Sequence, residues 1–377
     1  MGLTRRRLCE GVLVAAAQPT LTLASDGDIV VGQVGPFTGI PVPDALQLNQ
    51  GIKACFAQVN ERGGIGGRKV AFFDLDDTYS GDGFAKAFGQ AMQRKPVALL
   101  DPVGSAALKR MLDDKMLDQS DVIVLNAIPG AEALRNPGHP KLFHIRAGDR
   151  QQIEKIVAHA VTLGVGELAV LYHNIVIGTS GLSMTQAAAA ASGKLKILPF
   201  EATAEIPSLA AAAKNVVKSG AKAVLVVGAP RFMADGIAQL RAAGAASQFV
   251  FALSYVPAGL VAKVAGEGSR GVALAQTYPN PMGISSPLQR EFHAAMKQSF
   301  PEVTSYTSFH LEGYISARVF AEAARRSKDV TPEGVAKSLR AMGEYDMGGF
   351  RVNFARNNTG SGFVDIGVVN ADGRLIY

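Results

Sequence analysis

Asp74-Leu75-Asp76-Asp77-Thr78 is the most catalytic-looking pattern in this chain of 377 residues. A DxDxT spacing can supply a nucleophilic aspartate and, two residues on, an acid/base aspartate for phosphoryl transfer. Alternation along an extended segment puts Asp74 and Asp76 on the same side. The competing account is an acidic strand end whose carboxylates are solvated or cap the following loop. No later acidic motif with a lysine completes a magnesium site, which favours the second account.

Two glycine runs invite a nucleotide reading and fail it. Gly266-Glu-Gly268-Ser-Arg-Gly271 matches GxGxxG, but a dinucleotide site needs strand, glycines and then helix. Here a helical stretch (258–265) comes first and an apolar strand (272–275) follows, so the glycines stop a helix. Gly63-Gly64-Ile65-Gly66-Gly67 fails for the same reason, and neither GxSxG nor a P-loop occurs. The six histidines include no HExxH and no i, i+4 pair, which argues against a zinc hydrolase. With only Cys9 and Cys55, a disulfide scaffold or a Cys-based metal cluster is excluded. No cofactor is called for.

Ser105 stands differently. It follows the apolar run 97–100 and precedes a helical stretch (106–117), at the C-terminal edge of a parallel sheet, where open α/β sheets bind ligands. The first free amides of such a helix favour a carboxylate by ~0.3–2 kcal/mol. As a plain N-cap the same serine would only close the helix.

The elements behind these residues alternate. Strands at 28–32, 69–73, 97–100, 122–125 and 142–145 are separated by helices at 46–60, 83–93 and 106–117. A second series follows: helix 151–163, strand 168–172, helix 183–191, strand 195–199, helix 209–218, strand 223–227, helix 232–243 and strand 249–253. Apolar strands spaced by helices mean parallel sheets covered on both faces. Two series mean two doubly wound units. The C-terminal part is less regular: helices 306–325 and 332–341, the latter with Thr331 as N-cap and Pro332 at its first position, then strands 350–354 and 363–369. The uncharged stretch 175–193 carries three glycines and several hydroxyls, and reads as a loop feeding a buried helix, not as a membrane span.

The first residues read as an address. Thr4-Arg5-Arg6-Arg7-Leu8 is basic, 11–25 is uncharged, and Thr22-Leu23-Ala24 offers a cleavage site near Ala24 or Ser25, the pattern of a secretory signal. Arg5-Arg6 also resembles a twin-arginine signal. Losing Arg5, Arg6, Arg7 and Glu10 from 38 basic and 32 acidic residues leaves 35 against 31, too mild a balance for nucleic acid. Cys55 then remains alone.

Gly32-Gln-Val-Gly-Pro-Phe-Thr-Gly39, Ala57-Gln-Val-Asn-Glu-Arg-Gly-Gly-Ile-Gly-Gly-Arg-Lys69 and Leu75-Asp-Asp77 together resemble the opening of the type I periplasmic solute-binding proteins of ABC importers, in the leucine/isoleucine/valine-binding branch. Gly130-Ala-Glu-Ala-Leu-Arg135, Ala242-Ala-Gly244 and Leu311-Glu-Gly-Tyr-Ile-Ser-Ala-Arg318 fit the same family, so the resemblance runs from about Asp28 to the C-terminus. It implies an α/β fold of two doubly wound lobes joined by a three-crossing hinge. The divisions would be a signal peptide over 1–24, a first lobe from 26–147 with 277–356, and a second from 148–276 with 357–377. It further implies a periplasmic, non-enzymatic protein that closes on a small carboxylate and hands it to an inner-membrane ABC permease. By matching positions, the first lobe would contact ligand through the loop Phe37–Asp44, the turn Gly104-Ser105-Ala106 and the turn Ile128-Pro129-Gly130, with Ser105 taking the carboxylate. The second would use 174–180, including Ile177, with Pro230-Arg231 and Ser254-Tyr255.

The chain also departs from that pattern. The family's threonine near Gly130 and tyrosine near Pro230 are missing, and the acid that pairs a ligand ammonium falls at or beside Leu253 or Ser254. Either another acid, Asp44 or Asp101, substitutes, or the ligand is an aromatic or branched organic acid without an ammonium, which Arg146 and Arg231 would suit. Both arginines can equally be surface charges, and Tyr255 and Tyr278 either ligand walls or core. The remaining rival is a haloacid-dehalogenase-like phosphatase built on Asp74 and Asp76; in that family the motif follows the first strand, and here it follows the second.

Overall fold

The computed structural model describes residues 27–38 and 43–377; the address segment lies outside the described residues. The first series forms β1 (Ile29–Gly35), α1 (Pro43–Glu61), β2 (Val70–Asp76), α2 (Gly81–Gln93), β3 (Ala98–Leu100), α3 (Ser105–Asp113), β4 (Ile123–Leu125) and β5 (Leu142–Phe143). These strands make a five-stranded sheet in the order β2-β1-β3-β4-β5, with parallel pairing throughout. Apolar strands with no polar face, such as Ala98–Leu100 and Ile123–Leu125, are buried on both sides.

The second series forms α4 (Asp149–Thr162), β6 (Glu167–His173), α5 (Val176–Ser192), β7 (Lys196–Ala202), α6 (Ile206–Lys218), β8 (Ala223–Val227), α7 (Pro230–Ala242), β9 (Phe249–Ala252), α8 (Ala258–Ala265) and β10 (Ala273–Gln276). The chain then returns to the first lobe for α9 (Pro287–Ser299), α10 (Ser308–Arg326), α11 (Pro332–Ala341) and the two-residue strands β11 (Tyr345–Asp346) and β12 (Arg351–Val352). It closes with β13 (Asp365–Val369) and β14 (Leu375–Ile376). The second sheet has the order β14-β13-β10-β9-β8-β6-β7, in which β13 alone runs antiparallel to both its neighbours, β10 and β14.

Each sheet has its own core. Phe56, Tyr278, Phe292, Tyr314 and Phe320 fill one face of the first sheet under α1, α9 and α10. Phe84, Phe88, Leu108 and Met111 cover its other face from α2 and α3. A separate cluster from Ile153 to Ala275, joined by Val369, builds the second lobe. The chain passes between lobes three times. The first and third crossings run side by side: the His144 amide donates to the Asn358 carbonyl (2.7 Å) and the Gly360 amide to the His144 carbonyl (2.7 Å). At the second crossing, the Ser308 hydroxyl donates to the Gln276 side chain (2.6 Å).

Three expectations change. The helix read from 183 starts at Val176, because Gly178 and Gly181 are contact glycines. A Cβ on Gly178 would run into the His173 carbonyl, and one on Gly181 into Val227. The helix α9 went unread, although Ser286 and Gln289 form a reciprocal capping box with Pro287 at the first position. The stretches 350–354 and 363–369 are not neighbouring strands: Arg351–Val352 pairs with Tyr345–Asp346, while Asp365–Val369 joins β10. Among the described residues no helix is long and apolar enough to cross a membrane.

Candidate functional site

Strand order locates the site. In the first sheet β1 lies between β2 and β3, so the connections leaving β1 and β3 diverge and open a crevice beyond their C-terminal ends. In the second sheet β6 lies between β7 and β8 and does the same. The described residues at these openings are Phe37, Thr38 and Asp44 with Asp101 to Ser105 in one lobe, and Asn174 to Val176 with Gly228 to Pro230 in the other.

The first-lobe opening has an apolar floor. Phe37 packs on a small cluster of Ala45, Leu48, Val103, Ile128 and Phe309 that is separate from both faces of the lobe core. Above it α3 starts without a side-chain cap. Gly104 is the N-cap, at φ 101°, a conformation that favours glycine. Ser105 is the first helical residue and not the cap that the sequence suggested, so its exposed hydroxyl is left free for other work. Ala106 is exposed beside it, and α3 has no acid in its first turn. The helix therefore presents uncapped amides and a hydroxyl together.

The acidic strand end is structural. Asp74 accepts from Asn49 (3.1 Å) and pairs with Lys53 (2.7 Å). Asp76 accepts the amides of Phe37 (2.9 Å), Thr38 (3.2 Å) and Thr78 (3.0 Å), and also the Thr38 hydroxyl. Burial acts to raise its carboxyl, but the Thr38 hydroxyl and these amides outweigh it and hold the group below the ordinary value. Asp76 thus ties down the chain leaving β1 at Phe37 and Thr38. Beyond it Thr78 and Tyr79 both take left-handed backbone (φ 51° and 58°), unusual for such residues. The turn lays the exposed Tyr79 ring against Gly104: a Cβ there would be 3.2 Å from the ring. Nothing in the sequence pattern marked Tyr79.

Behind the floor is a buried charged network. Arg146 is fully buried, 3.2 Å from the Glu312 carboxylate, and donates to the Ser254 hydroxyl (3.3 Å). Its guanidinium lies between the rings of Tyr255 (5.1 Å) and Phe309 (5.8 Å). Asn126, at φ 65°, donates toward Asp101 (2.9 Å), Glu312 (3.0 Å) and Ser316 (3.1 Å), and accepts the amides of Ile145 and Arg146. Burial, reinforced by the Glu312 charge, pushes Asp101 well above the ordinary range, against the hydrogen bonds from Ser316 and Asn126. The Asp101 carboxyl is thus disfavoured as an anion, and its Oδ1 is already taken by Ser316 and Asn126. Arg146 is not the free cation that suits an organic acid, since Glu312 already neutralises it.

The lobes meet at Tyr255, whose hydroxyl donates to Asp149. Gly130 lies directly beneath: any Cβ would overlap both the hydroxyl and the carboxylate. Pro129 is buried in the same turn, its carbonyl receiving Arg135 at 3.3 Å. On the second-lobe rim Ile175 and Val176 are exposed, whereas Ile177 packs on the lobe core. Pro230 opens α7 with no side-chain cap. Arg231 projects to solvent and pairs with Asp235 (2.8 Å), a surface ion pair. Tyr278 is core, not wall.

Two concavities lie elsewhere on the first lobe. One of about 600 Å³ is lined by Ile65, Arg68, Arg325 and Asp329. The other, about 180 Å³, lies among Cys55, Gln58, Arg62, Glu291 and Arg318. The polar groups of the second are mutually paired, Arg62 and Arg318 on Glu291 and the Tyr314 hydroxyl on Gln58. Burial pushes the Cys55 thiol up to about 12, so it stays an inert thiol.

The arrangement matches known proteins over nearly its whole length. The sequence model of the periplasmic binding proteins matches residues 28–374. An extracellular ligand-binding receptor from Verminephrobacter eiseniae is 49% identical, with 93% of this chain and 100% of that chain covered and a TM-score of 0.88. A substrate-binding periplasmic protein from Ralstonia solanacearum is 28% identical, with 93% and 99% covered and a TM-score of 0.80. An ABC transporter substrate-binding protein from Desulfitobacterium hafniense, solved in complex with Leu, is 18% identical over 93% and 99%, with a TM-score of 0.78, and shows the shared fold. No protein of curated function matches.

Proposed function

We propose that this chain, which belongs to the periplasmic binding protein family, captures a small carboxylate between its lobes as the solute-binding component of an ABC-type importer. The family consists of substrate-binding proteins and not of enzymes, and this chain is no exception. The observation that carries the reading is the uncapped start of α3: Gly104, the Ser105 hydroxyl and the exposed Ala106 meet an apolar floor at the sheet's switch point. That combination suits a carboxylate head on an apolar tail.

In this mechanism the head group is taken first by the α3 amides and Ser105, while the tail rests on Phe37, Val103, Ile128 and Phe309. The second lobe then brings Ile175, Val176 and Tyr255 over it. Closure is stabilised only by contacts the open form lacks. Export through the N-terminal address, a periplasmic location and delivery to an inner-membrane permease belong to the same reading.

A thermal-shift screen of amino acids against aromatic and branched organic acids tests it, because a bound solute raises apparent stability by mass action. Losing a hydrogen bond to a charged group costs about 1.5–3 kcal/mol. Ser105→Ala should therefore weaken the identified carboxylate roughly tenfold or more by calorimetry while leaving apo stability unchanged. Unchanged affinity would remove Ser105 from the site.

A further inference from the structure

The second-lobe opening repeats the construction of the first and adds to it. Two helices start there, α5 at Val176 and α7 at Pro230, where the connections leaving β6 and β8 diverge. Neither start takes a side-chain cap, and neither has an acid in its first turn. Over 174–180 and 228–232 the one charged residue is Arg231, itself paired with Asp235. The first-lobe opening carries Asp44 in the first turn of α1, so the two rims differ in charge.

His173 ends β6 and touches both helix starts. A Cβ on Gly178, the third residue of α5, would meet the His173 carbonyl. The imidazole stacks on Phe232, the third residue of α7, with 4.4 Å between centroids and 5° between planes. Gly228 has no room for a side chain, since a Cβ there would be 2.6 Å from both His173 and Phe232. His173 is only 9% exposed, yet its ring hydrogen-bonds to no described residue, and Nδ1 is buried without a partner. Buried polar atoms almost always find one. Burial holds the imidazole below its ordinary value, so at neutral pH it is uncharged with one N–H to donate. A ring left unpartnered between two uncapped helix starts calls for an acceptor that the chain does not supply.

We propose that the second lobe holds a second carboxylate of the ligand, at the starts of α5 and α7 beside His173, and that the solute is therefore a dicarboxylate. The inference rests on the carboxylate reading above and names the class of solute within it. Each uncapped helix start presents free amides and a partial positive charge, which is how helix starts hold anions. One carboxylate on α3 would leave the second rim unanswered, and the lobes would close with like potentials facing. A carboxylate at each end of an apolar middle balances both rims and keeps that middle on Phe37, Val103 and Ile128. Closure then reads the spacing of the two anions, because only a ligand that reaches both rims adds contacts on the second.

Calorimetry on the full-length protein at pH 7.5 decides it, with acids compared in pairs of one skeleton: glutarate with pentanoate, adipate with hexanoate, terephthalate with 4-methylbenzoate, and L-glutamate with L-norvaline. In at least one pair the diacid should bind roughly tenfold tighter or more. Val176 is 76% exposed and can take an acid without disturbing the core. Val176→Asp should abolish the diacid's advantage by placing a like charge at the start of α5. His173→Phe, which keeps the stack on Phe232 and removes both ring nitrogens, should cut that advantage severalfold. Ser105→Ala should weaken both members of the pair alike. A diacid that binds no tighter than its partner in every pair, or an advantage that survives Val176→Asp, overturns the inference and leaves the carboxylate reading standing on Ser105. If neither series binds, the carboxylate reading falls, and this one with it.

Discussion

Asp44 is held in an unfavourable state in the empty protein. Burial, opposed by Arg146 and reinforced by Glu312, pushes its carboxyl up to about 6. The charged and titratable groups facing it are Arg146 at the first crossing, Glu312 on α10 and Tyr79 before α2. An unfolded aspartate titrates near 3.9, so the folded state binds this proton more tightly. Stability from Asp44 is therefore greatest at low pH, declines as pH rises from about 4 to about 6, and stays reduced above that. Asp77, pushed up to about 6 by burial, adds a change of the same sign. Asp44→Asn should consequently raise the apo melting temperature at pH 7.5, with the gain shrinking toward zero near pH 4. An equal shift at both pH values would show that Asp44 is not strained by its charge. At this scale the sequence was partly legible. Ser105, Phe37, Ile128 and Asp44 could be placed from strand–helix order and family pattern. Arg146 was visible as a cation, but its neutralisation depends on Glu312, 166 positions further along the chain. Tyr79 carried no signal, because its role depends on two consecutive left-handed residues.

At the scale of elements, close backbone approach decides most of what pattern reading missed. The helices α1 and α10 cross with backbones touching: a Cβ on Gly51 would collide with the His310 carbonyl, and one on Gly313 with that of Leu48. This crossing fixes the start of α1, through Ala45 and Leu48, against Phe309 on α10. Glycine lowers helix propensity by about 1 kcal/mol relative to alanine, so Gly178 and Gly181 looked like loop. The tertiary fit of α5 against His173 and Val227 overrides that penalty. Gly130 plays the corresponding part between lobes, under Tyr255 and Asp149. Gly130→Ala should destabilise the protein by about 1–3 kcal/mol, as overpacking does. Adding Tyr255→Phe should return part of that loss, since the hydroxyl it removes is one of the two groups the methyl meets. Chemical denaturation of both single variants and the double variant reads the coupling. Strict additivity would mean that Gly130 is not where the lobes press together.

For the whole molecule, the proposed site joins two switch points, each produced by its own doubly wound sheet, in lobes linked by three crossings. Alternating strands and helices made both sheets readable, because buried parallel strands are uniformly apolar. The crossings were less readable. The segment 354–364 resembles a turn between two strands, and only the pairing of His144 with Asn358 and Gly360 reveals it as hinge. Holding the carboxylate at one lobe and closing the other over the tail requires the ligand to occupy this cleft and no other cavity. A crystal structure with the tightest-binding carboxylate from the screen tests that directly. The account predicts a ligand carboxylate on Ser105 and the first amides of α3, its tail on Val103, Ile128 and Phe309, and Tyr255 across the opening. A ligand seated instead in the concavity beside Gln58, Arg62 and Glu291, with the cleft empty, would contradict it.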